Sequence, residues 1–134
     1  MQIEVFTIAD AATVDRGKLN LLGSFDHLLA RNFPARHNEC VIVCKLRLGH
    51  EDSESEHNLK IRIIDPDGRD VIEPAKSTFH PKIDFGGSGH HTHLWSIRAF
   101  PLPKPGTFYI DALVDEKLIA RTPLFVNQYQ PGPN

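Results

Sequence analysis

The stretch that most constrains the fold is an alternating run near the C-terminus, FPLPKPGTFYIDALVDEKLIARTPLFV at 100–126. One parity of its first half is entirely apolar, comprising Phe108, Ile110, Ala112 and Val114. A turn at Asp115-Glu116 then leads into a second run that alternates in the same way. Period-two alternation on both sides of a tight turn is typical of an antiparallel hairpin with one buried face. The rest of the chain must supply strands to cover that face.

Shorter runs of the same kind precede this hairpin, and turn signals such as Asp65-Pro66-Asp67-Gly68 separate them. We expect strands over 2–9, 18–30, 39–48, 57–64 and 90–100, with a loop over 10–17. The segment 71–85 is broken by Pro74 and Pro81, which predicts an edge strand or two short strands there. The apolar parity of the first strand switches at Val5-Phe6, which predicts a bulge there or burial on both faces. The leucines of 18–30 also fit a helix, but Gly23 interrupts that pattern and predicts a bulge where the strand changes phase.

About eight short strands without a substantial helix predict an all-β fold. The spacing of the turns favours an antiparallel β-sandwich of immunoglobulin-like architecture. The 134 residues are enough for one domain, which we expect over 1–127. The last residues, 128–134, have too little to bury and are predicted to form a frayed tail.

The formal net charge of −2 argues against bulk attraction to nucleic acid or to an anionic membrane. No apolar run reaches the ~20 residues that a membrane-spanning helix needs. The N-terminus lacks the basic start of a secretory signal, so a cytoplasmic location is expected. Cys40 and Cys44 lie on the apolar parity of one predicted strand, too far apart to pair, and are expected to be buried, reduced filler.

Three segments together resemble a family of small, uncharacterised bacterial all-β domains. They are ADAA at 9–12, GKLNLLGSFD at 17–26 with Phe33-Pro34 after it, and PGTFYIDALVD at 105–115 with PLFV at 123–126. These motifs are structural, comprising a glycine within a strand, a turn and a closing hairpin. The resemblance implies an all-β fold and a bacterial cytoplasm, and it carries over no activity and no functional residues.

A cluster of histidines is the strongest candidate for chemistry. Residues two apart on a strand share a face, so His91 and His93 could hold one metal ion, with His80 from a neighbouring strand as a third ligand. Imidazole ligands favour a transition metal such as zinc. The alternative is a solvated, histidine-rich loop end, because the carboxylate that often accompanies an H-x-H pair is absent from 94–98. No cofactor is otherwise implied.

Catalytic motifs are not evident. The serines lie in no G-x-S-x-G context, and the glycine-rich segment at 86–89 lacks the lysine and the helix of a phosphate-binding loop. We therefore expect a protein that is not an enzyme, and no catalytic residues are assigned.

A candidate interaction surface emerges if the strands at 39–48 and 57–64 form one hairpin across the acidic loop. Parity then places four cations on one outer face, with apolar residues beside them. The surface comprises Val41, Val43, Lys45, Arg47, Lys60, Arg62 and Ile64. A partly covered sheet, whose cations pair with acids of the loop, fits the pattern equally well.

Two functions follow from these patterns. The first is a non-enzymatic module that binds a protein partner or self-associates, and the second is a sandwich that binds a metal or small molecule through the histidines. Neither a nucleic acid nor a membrane is expected as a partner.

Overall fold

The structure, a computed structural model, describes residues 1–132 as two β-sheets packed face to face. Sheet A has the strand order β2-β1-β4-β7, and sheet B has the order β3-β9-β8-β5-β6. The strands of sheet A are β1 (Gln2–Asp15), β2 (Lys18–Phe25), β4 (Ala35–Gly49) and β7 (Ser88–Leu102). Those of sheet B are β3 (His27–Ala30), β5 (His57–Ile64), β6 (Ala75–Phe79), β8 (Gly106–Val114) and β9 (Lys117–Gln128). A 3-10 helix (His50–Glu54) joins β4 to β5.

The inward parity of each central strand fills the space between the sheets, as the alternation predicted. The largest side chains with almost no exposure include Phe100, Phe108, Ile42, Leu46, Ile61 and Ile110. The described residues contain no α-helix, so none is long and apolar enough to cross a membrane. The all-β fold and the sandwich of two sheets are confirmed, whereas the immunoglobulin-like topology stays a prediction.

The closing hairpin is confirmed as β8 and β9, joined by a two-residue turn. Val114 pairs with Lys117, and the turn residues Asp115 and Glu116 have φ of 50° and 68°. Positive φ at both central positions matches the twist of an antiparallel pair, although it costs energy in residues other than glycine. Other contacts must therefore hold this turn in place.

The loop expected over 10–17 is wrong. β1 continues to Asp15, and the chain reverses in a two-residue turn at Arg16-Gly17, where φ is 53° and 75°. Beyond Ala9, β1 pairs only with β2, because β4 pairs with β1 no further than that residue. Residues 10–23 therefore form a two-stranded ribbon that continues past the rest of sheet A, and we call it the ribbon.

Two irregularities in β1 and β2 differ in detail from those expected. The register between β1 and β4 shifts between Ile3 and Val5, so the bulge lies at Glu4 and not at Val5-Phe6. Gly23 has a φ of 69°, which confirms an irregular glycine, but the β1–β2 register is the same on both sides of it. The strand changes phase at Gly23 without an inserted residue.

The sandwich is not wholly antiparallel. After Asp26 the chain crosses to sheet B, where β3 lies parallel to β9 and raises the number of described strands to nine. β9 extends to Gln128, and the Tyr129 N–H donates to the Ala30 carbonyl at 2.8 Å. The predicted tail thus begins as strand, and its last two residues, 133–134, lie outside the described residues.

Candidate functional site

The predicted interaction surface is divided between the two sheets. Lys45 and Arg47 lie on β4 of sheet A, whereas Lys60 and Arg62 lie on β5 of sheet B. On both strands the alternation correctly predicted the inward side, since Leu46 and Ile61 face the core. The premise that β4 and β5 form one hairpin is wrong because the connecting 3-10 helix carries the chain from one sheet to the other. The four cations therefore do not share a face.

The sheet A cations converge on one carboxylate at the bulge. The Glu4 carboxylate lies 3.6 Å from the Lys45 ammonium and 3.1 Å from His90 Nε2, and it accepts a hydrogen bond from Arg47 Nε at 2.6 Å. These contacts, led by the Arg47 hydrogen bond, lower the pKa of Glu4. Glu4 therefore offsets one of the two positive charges that Lys45 and Arg47 place on this face.

The apolar part of the predicted surface is covered by the chain itself. Val41 and Val43 face outward from sheet A, yet they are only 4% and 0% exposed. They form a second apolar cluster with Ala9, against which Ala12 and Leu19 of the ribbon pack. On the other sheet, Ile64 is also buried, at 8% exposure. These residues stabilise the fold and leave little surface for a partner.

On sheet B, Arg62 belongs to a paired cluster. Asp111 is 2% exposed and accepts hydrogen bonds from Arg121 Nε at 2.7 Å and Arg121 Nη2 at 2.9 Å. Arg62 Nε lies 3.6 Å from the same carboxylate, and the Arg121 guanidinium lies over the Tyr109 ring. Two guanidinium groups around one buried carboxylate leave one net positive charge on this outer face.

Lys60 has no such acid. It lies directly opposite Lys76 across the β5–β6 pair, and on its other side it lies opposite Leu113 of β8. Among residues 1–132, neither lysine forms an ion pair with a carboxylate. Like charges directly opposite destabilise a sheet by roughly 0.2–1 kcal/mol per pair. This pair is therefore a local cost that the described contacts do not offset.

The two lysines border a shallow groove of about 690 Å³ on the outer face of sheet B. We call it the lysine groove, and it is lined by Asn58, Leu59, Lys60, Lys76, Ser77, Thr78, Leu113 and Glu116. Leu113 provides a half-buried apolar patch, Thr78 provides a hydroxyl group, and Glu116 contributes one carboxylate. The groove can hold an extended chain through two ammonium groups, a hydroxyl hydrogen bond and an apolar contact.

Sequence reasoning found Lys60 but missed Lys76. The alternation of Lys76 and Thr78 against Ala75, Ser77 and Phe79 could have assigned it to an outer face. Alternation does not show which strand β6 pairs with. The sequence therefore could not predict that Lys60 lies opposite Lys76.

The predicted metal ligands lie between the edges of the two sheets. His91 stacks on Phe79 of β6, with ring centroids 4.2 Å apart and planes 7° apart. His80 uses its Nε2 to donate to the Ser53 carbonyl at 3.1 Å. Burial lowers the pKa of both His91 and His93, which favours the neutral imidazole that a metal requires. The described part of the chain holds no group of three metal-binding side chains around one point.

The two thiols lie deep between the sheets, as predicted. Cys40 and Cys44 are free and are 1% and 0% exposed. Burial raises the pKa of Cys40 to about 11 and that of Cys44 to about 12. Neither thiol can ionise near neutral pH, so neither is a candidate nucleophile.

Comparison with known proteins identifies a family without a known function. The model of the family of unknown function DUF6941 matches residues 4–127, so this chain belongs to that family. None of the curated proteins matches the chain. The chain also resembles segments of two structures of glycosyl hydrolase family 2 members from Bacteroides cellulosilyticus, the second from strain DSM 14838.

Both structural similarities are distant. The first has a TM-score of 0.43 at 15% identity and covers 66% of this chain and 12% of the hydrolase. The second has the same TM-score at 13% identity and covers 92% of this chain and 15% of the hydrolase. The matched region is therefore a small part of each hydrolase.

Proposed function

We propose that this member of the family is a non-enzymatic protein-interaction module of the bacterial cytoplasm. Its binding surface is the lysine groove, and its ligand is an extended, acidic segment of a partner protein. The observation that carries the proposal is the direct opposition of Lys60 and Lys76, neither of which forms an ion pair with a carboxylate among residues 1–132. The cytoplasmic location rests on the two free, buried thiols and on the resemblance to bacterial domains.

The charge of the groove favours an acidic ligand. A carboxylate between Lys60 and Lys76 relieves the repulsion between them and gains two ion pairs. Arg62 and Arg121 extend the positive face of sheet B. Because both pair with the single carboxylate of Asp111, one positive charge is not neutralised. The carboxylate of Glu116 lines one end of the groove and disfavours an acid at that end. The ligand therefore has its acidic residues beside the lysines and a neutral or basic residue beside Glu116.

The shape of the groove favours an extended chain over a small anion. It is lined by residues of three neighbouring strands, with Lys60 opposite Lys76 on one side and Leu113 on the other. Side chains of an extended segment alternate, so an acidic residue can contact Lys60 or Lys76 while an apolar neighbour packs on Leu113. A single phosphate or carboxylate ion would leave Leu113 unused.

Fluorescence anisotropy with a labelled peptide tests the proposal. The probe is a seven-residue peptide of alternating glutamate and valine, and the matched control is the same peptide with lysine in place of glutamate. We expect the glutamate peptide to bind in low salt and the lysine peptide not to bind. Because exposed ion pairs contribute about 0.2–1 kcal/mol each, Lys60→Glu and Lys76→Glu should each weaken binding by up to about fivefold.

The control protein is Lys82→Glu, which makes the same charge change in the connection between β6 and β7, outside the groove. It should bind the glutamate peptide like the wild type, apart from a small general effect of net charge. Equal affinities for wild type and the Lys60→Glu, Lys76→Glu double variant would refute the groove as the binding surface.

A second candidate function is zinc binding at His91 and His93. It is favoured by the His91 Nε2 atom, which is buried without a hydrogen-bond partner in the described residues. Side-chain rotation would have to bring His80 or another donor to the same ion. Calorimetric titration with zinc should then release heat in the wild type and not in the His91→Ala, His93→Ala double variant. Identical heats in both proteins would remove this candidate.

A further inference from the structure

The free edges of a β-sheet are the places where another strand can add, and natural proteins protect them with charges, prolines or short strands. Three of the four terminal strands carry such protection. β3 has only four residues, and β6 carries Lys76 and lies between Pro74 and Pro81. β7 carries His90 and Arg98 and contains a proline near its end.

β2, the remaining terminal strand, carries a charge only at its first residue, Lys18. Its other residues, LNLLGSF at 19–25, include no charge and no proline. Leu21 and Leu22 are 40% and 71% exposed, and Val14 on the facing strand of the ribbon is 45% exposed. Natural proteins avoid an edge stretch that lacks charges and exposes leucines, unless another strand pairs with it.

We propose that the β2 edge pairs antiparallel with the β2 edge of a second copy of this chain, with Leu22 at the two-fold axis. This pairing joins two copies of sheet A into one continuous sheet. It goes beyond the proposed function and does not depend on it, because β2 lies in sheet A and the lysine groove lies in sheet B. A dimer formed in this way leaves both grooves open.

The sequence around Leu22 is self-complementary, which favours a second copy over a foreign strand. In a two-fold antiparallel pair, residues at equal distances on either side of the axis face each other. Lys18 of one copy then lies opposite Asp26 of the other, and Asn20 lies opposite Ser24. The opposite charges occur twice in the dimer, and Leu22 meets its own copy at the centre.

The charged pair at each end is accessible in the monomer. Lys18 is exposed, and the Asp26 side chain is 66% exposed, with one carboxylate oxygen bonded to His27 Nδ1 at 2.5 Å. The other oxygen of that carboxylate remains available to an ammonium group. The absence of a side chain at Gly23, opposite Leu21 in this pairing, leaves room for the leucine of the second copy.

Sedimentation velocity over a concentration series tests the pairing. The wild type should form dimers as its concentration rises. Leu22→Lys places two ammonium groups together at the axis and should weaken dimerisation at least about tenfold. The matched control is Leu29→Lys, which changes another strongly exposed leucine, 65% exposed on β3, and should leave the dimer unchanged.

A charge swap tests the register. Lys18→Glu and Asp26→Lys should each weaken the dimer, and the double variant should restore it because each copy again presents opposite charges. A wild type that stays monomeric throughout the series overturns the proposal, as does an equal response to Leu22→Lys and Leu29→Lys. A double variant that is weaker than both single variants overturns pairing about Leu22.

Discussion

A pH-dependent bridge at His57 gives a quantitative prediction. His57 Nδ1 lies 2.7 Å from an Asp115 carboxylate oxygen, and His57 Nε2 lies 2.8 Å from the Asp52 carbonyl oxygen. Both ring nitrogens face acceptors, so the doubly protonated imidazolium satisfies both contacts. The Asp115 hydrogen bond is the largest cause that raises the pKa of His57, and the same bond lowers the pKa of Asp115.

This bridge holds the strained turn between β8 and β9. The second Asp115 oxygen accepts the Asn58 N–H at 2.9 Å, so β5 fixes a turn residue whose φ is positive. Hydrogen bonds to charged groups contribute about 1.5–3 kcal/mol, and solvent around the half-exposed Asp115 reduces this to about 1–2 kcal/mol for the bridge. His57→Gln removes the charge and should lower the free energy of unfolding by that amount at pH 5.5.

The sign of the pH dependence follows from the pKa directions. Folding raises the pKa of His57, so its contribution to the free energy of unfolding is complete below about pH 6.5, its unfolded pKa. That contribution is lost as the pH rises through the folded pKa. Folding lowers the pKa of Asp115, so its contribution is present above about pH 3.8, its unfolded pKa, and is lost as the pH falls through the folded pKa. The Asp52 carboxylate, ion-paired to the N-terminal ammonium, also favours the imidazolium.

Urea denaturation of wild type and His57→Gln at pH 5.5 and pH 8.5 measures the effect. At pH 5.5 the midpoints should differ by about 0.5–1 M, and at pH 8.5 the difference should be much smaller. Asp115→Asn should show the same pattern, because it removes the other charge of the bridge. A difference between wild type and His57→Gln that is the same at both pH values would refute an imidazolium at His57.

Three other substitutions and one labelling experiment test the fold. Cys40 and Cys44 should resist native thiol labelling and count as two free thiols on denaturation; rapid native labelling would contradict their burial. Gly23→Val should destabilise by ~1 kcal/mol or more, since its Cβ would collide with the Asp10 carboxylate and its φ is positive, and an unchanged urea midpoint would contradict this. Val43→Lys should lower the free energy of unfolding, measured by thermal denaturation, by at least ~2 kcal/mol, because the Val43 side chain is fully buried. A mild effect would show that the ribbon does not cover Val43. Asp111→Asn should cost ~1–3 kcal/mol by urea unfolding, because it removes the charge that Arg121 binds, and a neutral result would show that the pair adds no stability.

For the central strands β4, β5 and β8, the sequence predicted which side faces the core. In β4 the alternation placed Cys40, Cys44 and Leu46 together, and in β8 it separated Phe108 from Asp111, as the structure has them. Each of these strands buries one face, and that requirement gives an alternating pattern in the strand's own sequence. The inward side can therefore be predicted from local sequence alone.

The pairing of the strands could not be predicted in the same way. β4 and β5 are neighbours in the chain, and their alternation fits a hairpin, but they belong to opposite sheets. Alternation predicts that Lys45 and Lys60 point outward, but it does not indicate which of the two sheets each lysine belongs to. For that reason the predicted surface was divided, and the contact between Lys60 and Lys76 came only from the structure.

Mapping of backbone amide shifts by NMR tests the central claim most directly. The glutamate–valine peptide is titrated into labelled wild-type protein, and the shifted amides are located on the two sheets. We expect the shifts to cluster at 58–60, 76–78 and 113, around the lysine groove. Shifts that cluster around Lys45 and Arg47 on sheet A, or no shifts at all, would contradict the lysine groove as the binding surface.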